Sequence, residues 1–167
     1  MTKEQIILIL VDSITLAALL LLIPKRRARE ATTVYTFKQS ITWVLGLLIV
    51  EYHLIEYPVR EFAVANSTSF SFEFFIYPAI CVIYNLRFPI KRKRWVRAGW
   101  ILGFPTGMTL VEVVIEKYTE LIEYTHWTWY WSWITLTATF FLSRSFYLWF
   151  YGKRGAEGSS STQGAEE

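Results

Sequence analysis

Five apolar blocks, spread over almost the whole chain, are the feature that most constrains its fold. Each block is about 18 to 22 residues long, which as an α-helix crosses the roughly 30 Å hydrocarbon layer of a bilayer. A transmembrane β-strand would need about half that length and would alternate apolar with polar residues, a pattern that the blocks lack. The blocks predict an all-α integral membrane bundle of five transmembrane helices, with spans at about 5–23, 39–57, 70–88, 96–116 and 128–150.

The composition fits one membrane domain. Hydrophobic residues make up 53% of the 167 residues, and aromatic residues 18%, a higher apolar share than ordinary soluble domains have. We expect a single transmembrane domain over 1–151 and a disordered cytoplasmic tail over 152–167, which is rich in Gly, Ser and Glu. The first block has a basic cluster after it and no small-x-small cleavage site, so we expect it to remain as an anchor.

Basic residues are distributed unevenly between the predicted loops. Only Lys3, Arg60 and Lys117 lie on one side of the bundle. Because short loops rich in Lys and Arg stay in the cytoplasm, the N-terminus is predicted outside and the C-terminus inside. The basic residues on the predicted inner side are Lys25, Arg26, Arg27, Arg29, Lys38, Arg87, Lys91, Arg92, Lys93, Arg94, Arg97, Lys153 and Arg154.

One basic run, formed by Lys91, Arg92, Lys93 and Arg94, stands directly before the fourth span. Such a run can bind nucleic acid, but its place between two spans favours contact with the lipid bilayer and its anionic headgroups. We therefore expect anionic lipid as a partner of this run, and no nucleic acid.

The tetrapeptide LIEY occurs twice, at 54–57 and at 121–124, and each copy closes a predicted outward-running apolar run. A duplicated two-helix hairpin would produce this arrangement. The alternative is that both helices need an interfacial Tyr and an outer charge at the same depth. Either way, both copies are predicted at the extracytoplasmic ends of helices.

Acidic residues are concentrated toward the predicted outer side, and four different spans carry one in their outer third. Ionisable groups at membrane depth are costly, so they usually face a hydrated cavity or a partner inside the bundle. This predicts an acidic extracytoplasmic vestibule that binds a cation, a proton or a cationic small ligand; hydrogen bonding that only fixes packing is the alternative. The candidate residues are Asp12, Glu51, Glu56, Glu73, Glu112 and Glu116.

Four glutamates at the outer end of the fourth span would share one helical face if the helix continued that far. They are Glu112, Glu116, Glu120 and Glu123.

A metal site is a weaker alternative, with Glu51, His53, Glu123 and His126 as the ligands. The last two form a Glu-x-x-His step, which places both side chains on one face if that segment is helical. Two histidines are fewer than histidine-rich membrane di-iron enzymes use, and no His-Glu-x-x-His motif occurs. No catalytic motif is recognised, so we expect neither an enzyme nor a cofactor.

The fourth span carries a glycine face, because Gly99, Gly103 and Gly107 recur at steps of four residues. Another helix can approach such a face closely. It predicts either an internal seam or a contact with a second copy or a membrane partner. Pro105 in the same span and Pro78 in the third are expected to kink their helices.

Arg144 is the only strong base inside a predicted span, and it is expected to snorkel toward the cytoplasmic surface or to pair with a deep acid. Cys81 is expected to be a small core residue. An aromatic belt at the outer boundary is predicted from Trp127, Trp129, Trp131 and Trp133.

Two segments, EYHLIEYPVREFAVANSTSFSFEFFIYPAICVIYNLRFP and IEKYTELIEYTHWTWYWSWITL, resemble a family of small, uncharacterised multi-pass membrane proteins of endospore-forming Firmicutes. The resemblance covers most of the chain except the tail. It implies a bacterial cytoplasmic membrane or a spore membrane, and it carries over no catalytic or binding residues.

The leading interpretation is thus a non-enzymatic membrane protein whose acidic vestibule binds or transports a cation, a proton or a cationic small ligand. A structural or assembly subunit of a membrane complex, spore-associated and joined through the glycine face, is the alternative. A metal-dependent membrane enzyme comes third.

Overall fold

The computed structural model describes residues 2–157, with side chains as far as Gly152, and over this range the chain is helical as predicted. A π-helical segment, Phe70–Ile76, leads directly into α3, and a short 3-10 turn, Lys25–Arg27, precedes α2. The five α-helices of the described range are α1 Lys3–Leu22, α2 Ala28–Glu51, α3 Tyr77–Leu86, α4 Arg94–Tyr118 and α5 Trp129–Glu157.

Within residues 2–157, three helices are long and apolar enough to cross a membrane. They are α1, α2 together with its preceding turn, and α4. The segment 70–86, formed by the π-helix and α3, is a shorter apolar helix. These lengths agree with the composition of a membrane protein.

The second helix differs most from its predicted bounds. It begins at Ala28 and ends at Glu51, whereas the apolar block predicted 39–57. The early turns of α2 carry Thr33, Tyr35 and Lys38, whose side chains hydrogen-bond to other helical segments, so average hydropathy misses them. Placing Lys38 in a basic loop was therefore wrong, because this residue is fully buried inside the bundle.

The last helix begins at Trp129, close to the predicted boundary, and its helical geometry is interrupted at Gly152, where φ is 66°. A positive φ of this kind is readily adopted by glycine. Most of the predicted tail, residues 158–167, lies outside the described residues.

The two LIEY copies form strands that pair with each other. β1 is Ile55–Glu56 and β2 is Glu123–Tyr124, and they are antiparallel. Ile55 lies opposite Tyr124, and Glu56 lies opposite Glu123, so the copies are aligned about the same glutamate. The prediction that LIEY ends two helices was wrong, because α2 and α4 end several residues earlier.

The strands also show that the four glutamates predicted to share one helical face do not lie on one helix. α4 finishes at Tyr118, and Glu123 belongs to β2, so this face does not continue along one helix. In and beside the strands, the buried residues Ile55, Tyr57, Leu121 and Ile122 belong to a core cluster at this end of the bundle. We call this the strand end.

The opposite end, where α1 finishes and α2 begins, is held by arginines that cap helices, and we call it the basic end. Arg27 donates from Nη1 to the Leu86 carbonyl at the end of α3, at 2.9 Å, and from Nη2 to Glu30 at 2.7 Å. Arg87 donates from Nε to the Leu22 carbonyl at the end of α1, at 2.8 Å. Cations at helix C-termini satisfy carbonyls that have no partner within the helix.

Arg144 belongs to the same end, but neither of its predicted placements is observed. It is buried and donates from Nη1 to the Asn85 carbonyl at 3.1 Å. Its guanidinium lies 4.2 Å from the ring centre of Phe88. The partners of the Arg144 guanidinium are thus a helix carbonyl and an aromatic face, whereas water or an acid was expected.

Pro78 explains the π-helical segment. It occupies the first turn of α3 and has no N–H, so the Phe74 carbonyl loses its usual helical donor. Tyr35 Oη and Gln39 Nε2, both from α2, donate to this carbonyl at 2.9 and 3.1 Å. The third helix thus changes winding at this point, whereas α4 continues through Pro105.

Candidate functional site

One face of α2 is buried along the middle of the bundle, and its residues recur at four-residue steps. They are Val34, Lys38, Thr42 and Gly46. This face packs on the π-helical segment and α3. Thr42 Oγ1 donates to the Glu73 carbonyl at 2.7 Å, which ties α2 to the segment that carries the acid.

Glu73 lies inside the bundle with only 7% of its surface exposed. Its described hydrogen bond is a long one from Tyr57 Oη to Oε1, at 3.3 Å. The absence of a side chain at Gly46 makes room for it, because a Cβ there would lie 3.0 Å from both Cγ and Cδ of Glu73. Gly46 and Tyr57 therefore fix where this carboxyl sits.

Glu112 of α4 is equally buried, but it is far better supplied with donors. Oε1 accepts from Ser132 Oγ at 2.6 Å and from Tyr124 Oη at 2.7 Å. Oε2 accepts from Tyr77 Oη at 3.3 Å. Burial raises the pKa of the Tyr124 hydroxyl, so this group remains a donor at neutral pH.

Glu73 and Glu112 line one cavity of about 50 Å³ near the strand end. Tyr57 and Tyr77 also line it, and each phenol donates to one of the two acids. A cavity of this size has room for a few waters or for one small monovalent ion. The remaining lining residues are Thr42, Leu45, Gly46, Ile49, Ile55, Trp127, Ser132, Thr135, Leu136 and Thr139.

Lys38 of α2 contacts a residue that lines this cavity. Its surface is 0% exposed, and Nζ donates to Thr139 Oγ1, a cavity-lining residue, at 2.5 Å. Nζ also lies 4.9 Å from the ring centre of Phe140. Within the described residues it forms no ion pair. A buried ammonium with so few partners is costly, which makes Lys38 a functional candidate that sequence reasoning missed.

Asp12 belongs to a different cluster. Ser71 Oγ lies 2.7 Å from Asp12 Oδ2 and 2.6 Å from Glu61 Oε1, while Asp12 Oδ1 is buried with no hydrogen-bond partner among the described residues. A hydroxyl has one hydrogen, so Ser71 can donate to only one of these two carboxyl groups at a time.

The other predicted acids lie apart from the cavity. Glu51 is exposed at the C-terminal end of α2, and Glu56 is exposed on β1. Glu116 is half-buried, one turn after Glu112, and does not line the cavity. The structure thus brings together two of the six predicted acids, Glu73 and Glu112.

The predicted metal ligands are not gathered into a site. Among the described residues, no group of three or more His, Cys, Asp and Glu side chains is arranged to hold a metal ion. His126 Nδ1 lies 3.3 Å from the His53 carbonyl, and His53 itself has a φ of 51°. These histidines shape the turns on either side of the strands.

The glycine face is open. A Cβ added at Gly99, Gly103 or Gly107 would meet no atom within 4 Å. These glycines line an apolar groove of about 660 Å³, bordered by α1 and α3, and Glu112 also lines it. The glycine face is therefore not filled by another helix of the same chain within the described residues.

No protein-family model, curated protein or solved structure matches this chain.

Proposed function

We propose that the chain is a five-span protein of a bacterial cytoplasmic membrane or spore membrane, with the strand end outside and the basic end cytoplasmic. The lengths of α1, α2 and α4 support membrane insertion. The exposure of Lys91, Arg92, Lys93 and Arg94, directly before and at the start of α4, supports contact of the basic end with anionic lipid headgroups.

Within this frame, the proposed function is to bind and release a proton in the cavity between Glu73 and Glu112, as part of a transport or sensing process. The observation that carries the proposal is that two carboxyls from separate elements, each 7% exposed, line one cavity of about 50 Å³. Ionisable groups at such depth in a membrane typically mark ion pathways and proton relays.

The two acids differ in how well they can carry a negative charge. Three hydroxyls donate to Glu112, and such donors stabilise the negatively charged form of a carboxyl group. Glu73 has one long hydrogen bond, so it is the group suited to hold the exchangeable proton. When Glu73 carries the proton, it is neutral. The charges that remain around the cavity are then the Lys38 ammonium and the Glu112 carboxylate, which cancel.

The size of the cavity distinguishes among the ligands predicted for the vestibule. About 50 Å³ admits water or a small ion, and it is too small for an organic cation. A proton needs the fewest ligands, and the two phenols at Tyr57 and Tyr77 are able to pass it between the acids and water.

Thermal stability of the purified protein in lipid nanodiscs, measured across pH in sodium, potassium and choline salts, tests this proposal. We expect the melting temperature of the wild type to fall as pH rises and the proton leaves, equally in all three salts. Glu73→Gln should remove this dependence, whereas the exposed control Glu120→Gln should retain it.

Two results would contradict the proposal. One is the same pH dependence in wild type and Glu73→Gln. The other is stabilisation by sodium or potassium but not by choline, which would make the occupant a metal cation.

A second candidate function is that of a structural or assembly subunit. The open face at Gly99, Gly103 and Gly107 favours it, because close-packing glycines that meet no atoms of their own chain are suited to a partner helix. Cross-linking of a Gly107→Cys variant in native membranes distinguishes this function, since a helix partner would be captured in high yield.

A further inference from the structure

The apolar groove beside α4 is much larger than the acidic cavity and is a separate space. It has a volume of about 660 Å³ and runs along the glycine face, with α1 on the other side and the π-helical segment and α3 between them. Its length is set by α4: from Gly99 to Glu112 a helix rises about 20 Å. Its lining includes Val11, Thr15, Ile80, Trp100, Met108 and Ile115.

Glu112 is the only carboxyl among the residues that line the groove, and no Lys or Arg lines it. It lies near one end, while the glycines, aliphatic and aromatic side chains and Thr15 form the rest of the lining. Its two oxygens are unequally supplied: Oε1 has donors at 2.6 and 2.7 Å, whereas Oε2 has one at 3.3 Å. Oε2 thus retains capacity to accept from a further donor or to face a cation.

We propose that the groove binds an amphiphile with a single long apolar chain and a cationic head, with the head at Glu112 and the chain along Gly107, Gly103 and Gly99. A neutral chain would fill the apolar walls but leave Glu112 Oε2 with only its long hydrogen bond from Tyr77. An anionic head would be repelled by the carboxylate. In a cationic amphiphile, the head matches the carboxylate at one end of the groove and the apolar chain matches the rest. The absence of side chains at the three glycines provides the width for the chain.

This inference is linked to the proposed function through Glu112 and its donor Tyr77, which both line the two spaces. Glu73 lines the cavity and not the groove, while Gly103 lines the groove and not the cavity. Variants at these two positions therefore separate the two sites.

Equilibrium dialysis of the protein in nanodiscs of zwitterionic lipid tests the inference. The cationic probe is dodecyltrimethylammonium, and dodecanol and dodecyl sulfate are the neutral and anionic probes of equal chain length. We expect the cationic probe to bind the wild type at one site and in preference to the other two. Glu112→Gln removes the charge and Gly103→Leu fills the groove, so each should weaken binding at least about tenfold.

Matched controls keep charge and size effects apart from misfolding. Glu120→Gln removes an exposed carboxyl, and Ala98→Leu places the same leucine side chain at an exposed position of α4 outside the groove. Both should bind as the wild type does. Glu73→Gln should also bind normally, and Gly103→Leu should retain the pH dependence of melting.

Equal binding of dodecanol and the cationic probe would overturn the inference, because the groove would then hold an ordinary lipid chain. Unchanged binding in Glu112→Gln would overturn it as well. A third outcome would also overturn it: the wild type binds no probe and is a dimer, and Gly103→Leu converts the dimer to a monomer. The groove would then be occupied by a second copy of the chain. If Glu73→Gln leaves the pH dependence of melting unchanged but charge-selective binding of the probe persists, the proposed function is wrong and the groove site remains.

Discussion

Glu56 of β1 lies directly opposite Glu123 of β2, so the two copies of LIEY pair about the same residue. Below this pair, Tyr57 donates to Glu73, and Tyr124 donates to Glu112. The tyrosine that ends each copy therefore contacts one of the two buried acids. The strand pair closes the bundle above the cavity and supplies a hydrogen-bond donor to each carboxyl.

Replacing one glutamate of the opposed pair should stabilise the strand end. Like charges directly opposite each other are unfavourable, so Glu56→Lys should raise the free energy of unfolding by about 0.2 to 1 kcal/mol. Thermal melting in nanodiscs measures the change. The double variant Glu56→Lys/Glu123→Lys restores a like-charge pair and should lose the gain; retention of the gain would mean that the two side chains do not interact.

Filling the space at Gly46 should displace Glu73. A Cβ in Gly46→Ala would lie 3.0 Å from Glu73 Cγ and Cδ, which is too close for unshifted packing. We expect a loss of about 1 to 3 kcal/mol in the free energy of unfolding, together with an altered pH dependence. Gly99→Ala is the matched control, because its Cβ meets no atom within 4 Å. Equal effects of the two variants would contradict the described packing.

Lys38 should be energetically coupled to the acids of the cavity. Lys38→Met removes a buried cation of similar length and leaves the acids without their counter-charge, so we expect it to destabilise the protein by about 1 to 4 kcal/mol. Adding Glu112→Gln should recover part of this loss, which a double-mutant cycle measures. Strictly additive losses would show that Lys38 and Glu112 do not share a charge balance. Lys117→Met, at an exposed position, is the control.

Tyr124 should make stability fall at alkaline pH. Burial raises the pKa of its hydroxyl, so the folded protein keeps this proton at a pH where the unfolded chain releases it. Stability from this group is complete below about pH 10 and is lost as pH rises above that value. Tyr124→Phe should lower stability at neutral pH by about 1 to 3 kcal/mol and flatten the alkaline decline. An unchanged alkaline slope would exclude Tyr124 as its source.

The sequence predicted helices where apolar residues dominate. The spans expected at 5–23, 70–88 and 96–116 correspond to described helical segments 3–22, 70–86 and 94–118. The second helix could not be placed in this way, because hydropathy averages over all faces and the early turns of α2 point polar side chains inward. The four-residue spacing of Lys38, Thr42 and Gly46 was the signal available for that buried face.

The candidate site was predictable in its residue types and not in its pairing. Glu73 and Glu112 stood among the acids expected inside the bundle, but nothing in their spacing indicates that they share a cavity. Glu51 was expected beside them because the second helix was placed too late in the chain; with α2 ending at Glu51, this residue is exposed. The strand pairing of LIEY was missed because four residues at a helix end fit both conformations.

Infrared absorption of protonated carboxyl groups tests the central claim most directly, since it observes the proton on Glu73. We predict that wild-type protein in nanodiscs at neutral pH shows a protonated-carboxyl band, that Glu73→Gln lacks one component of it, and that Glu120→Gln retains the full band. An identical band in wild type and Glu73→Gln would contradict the account, because Glu73 would then not hold the proton.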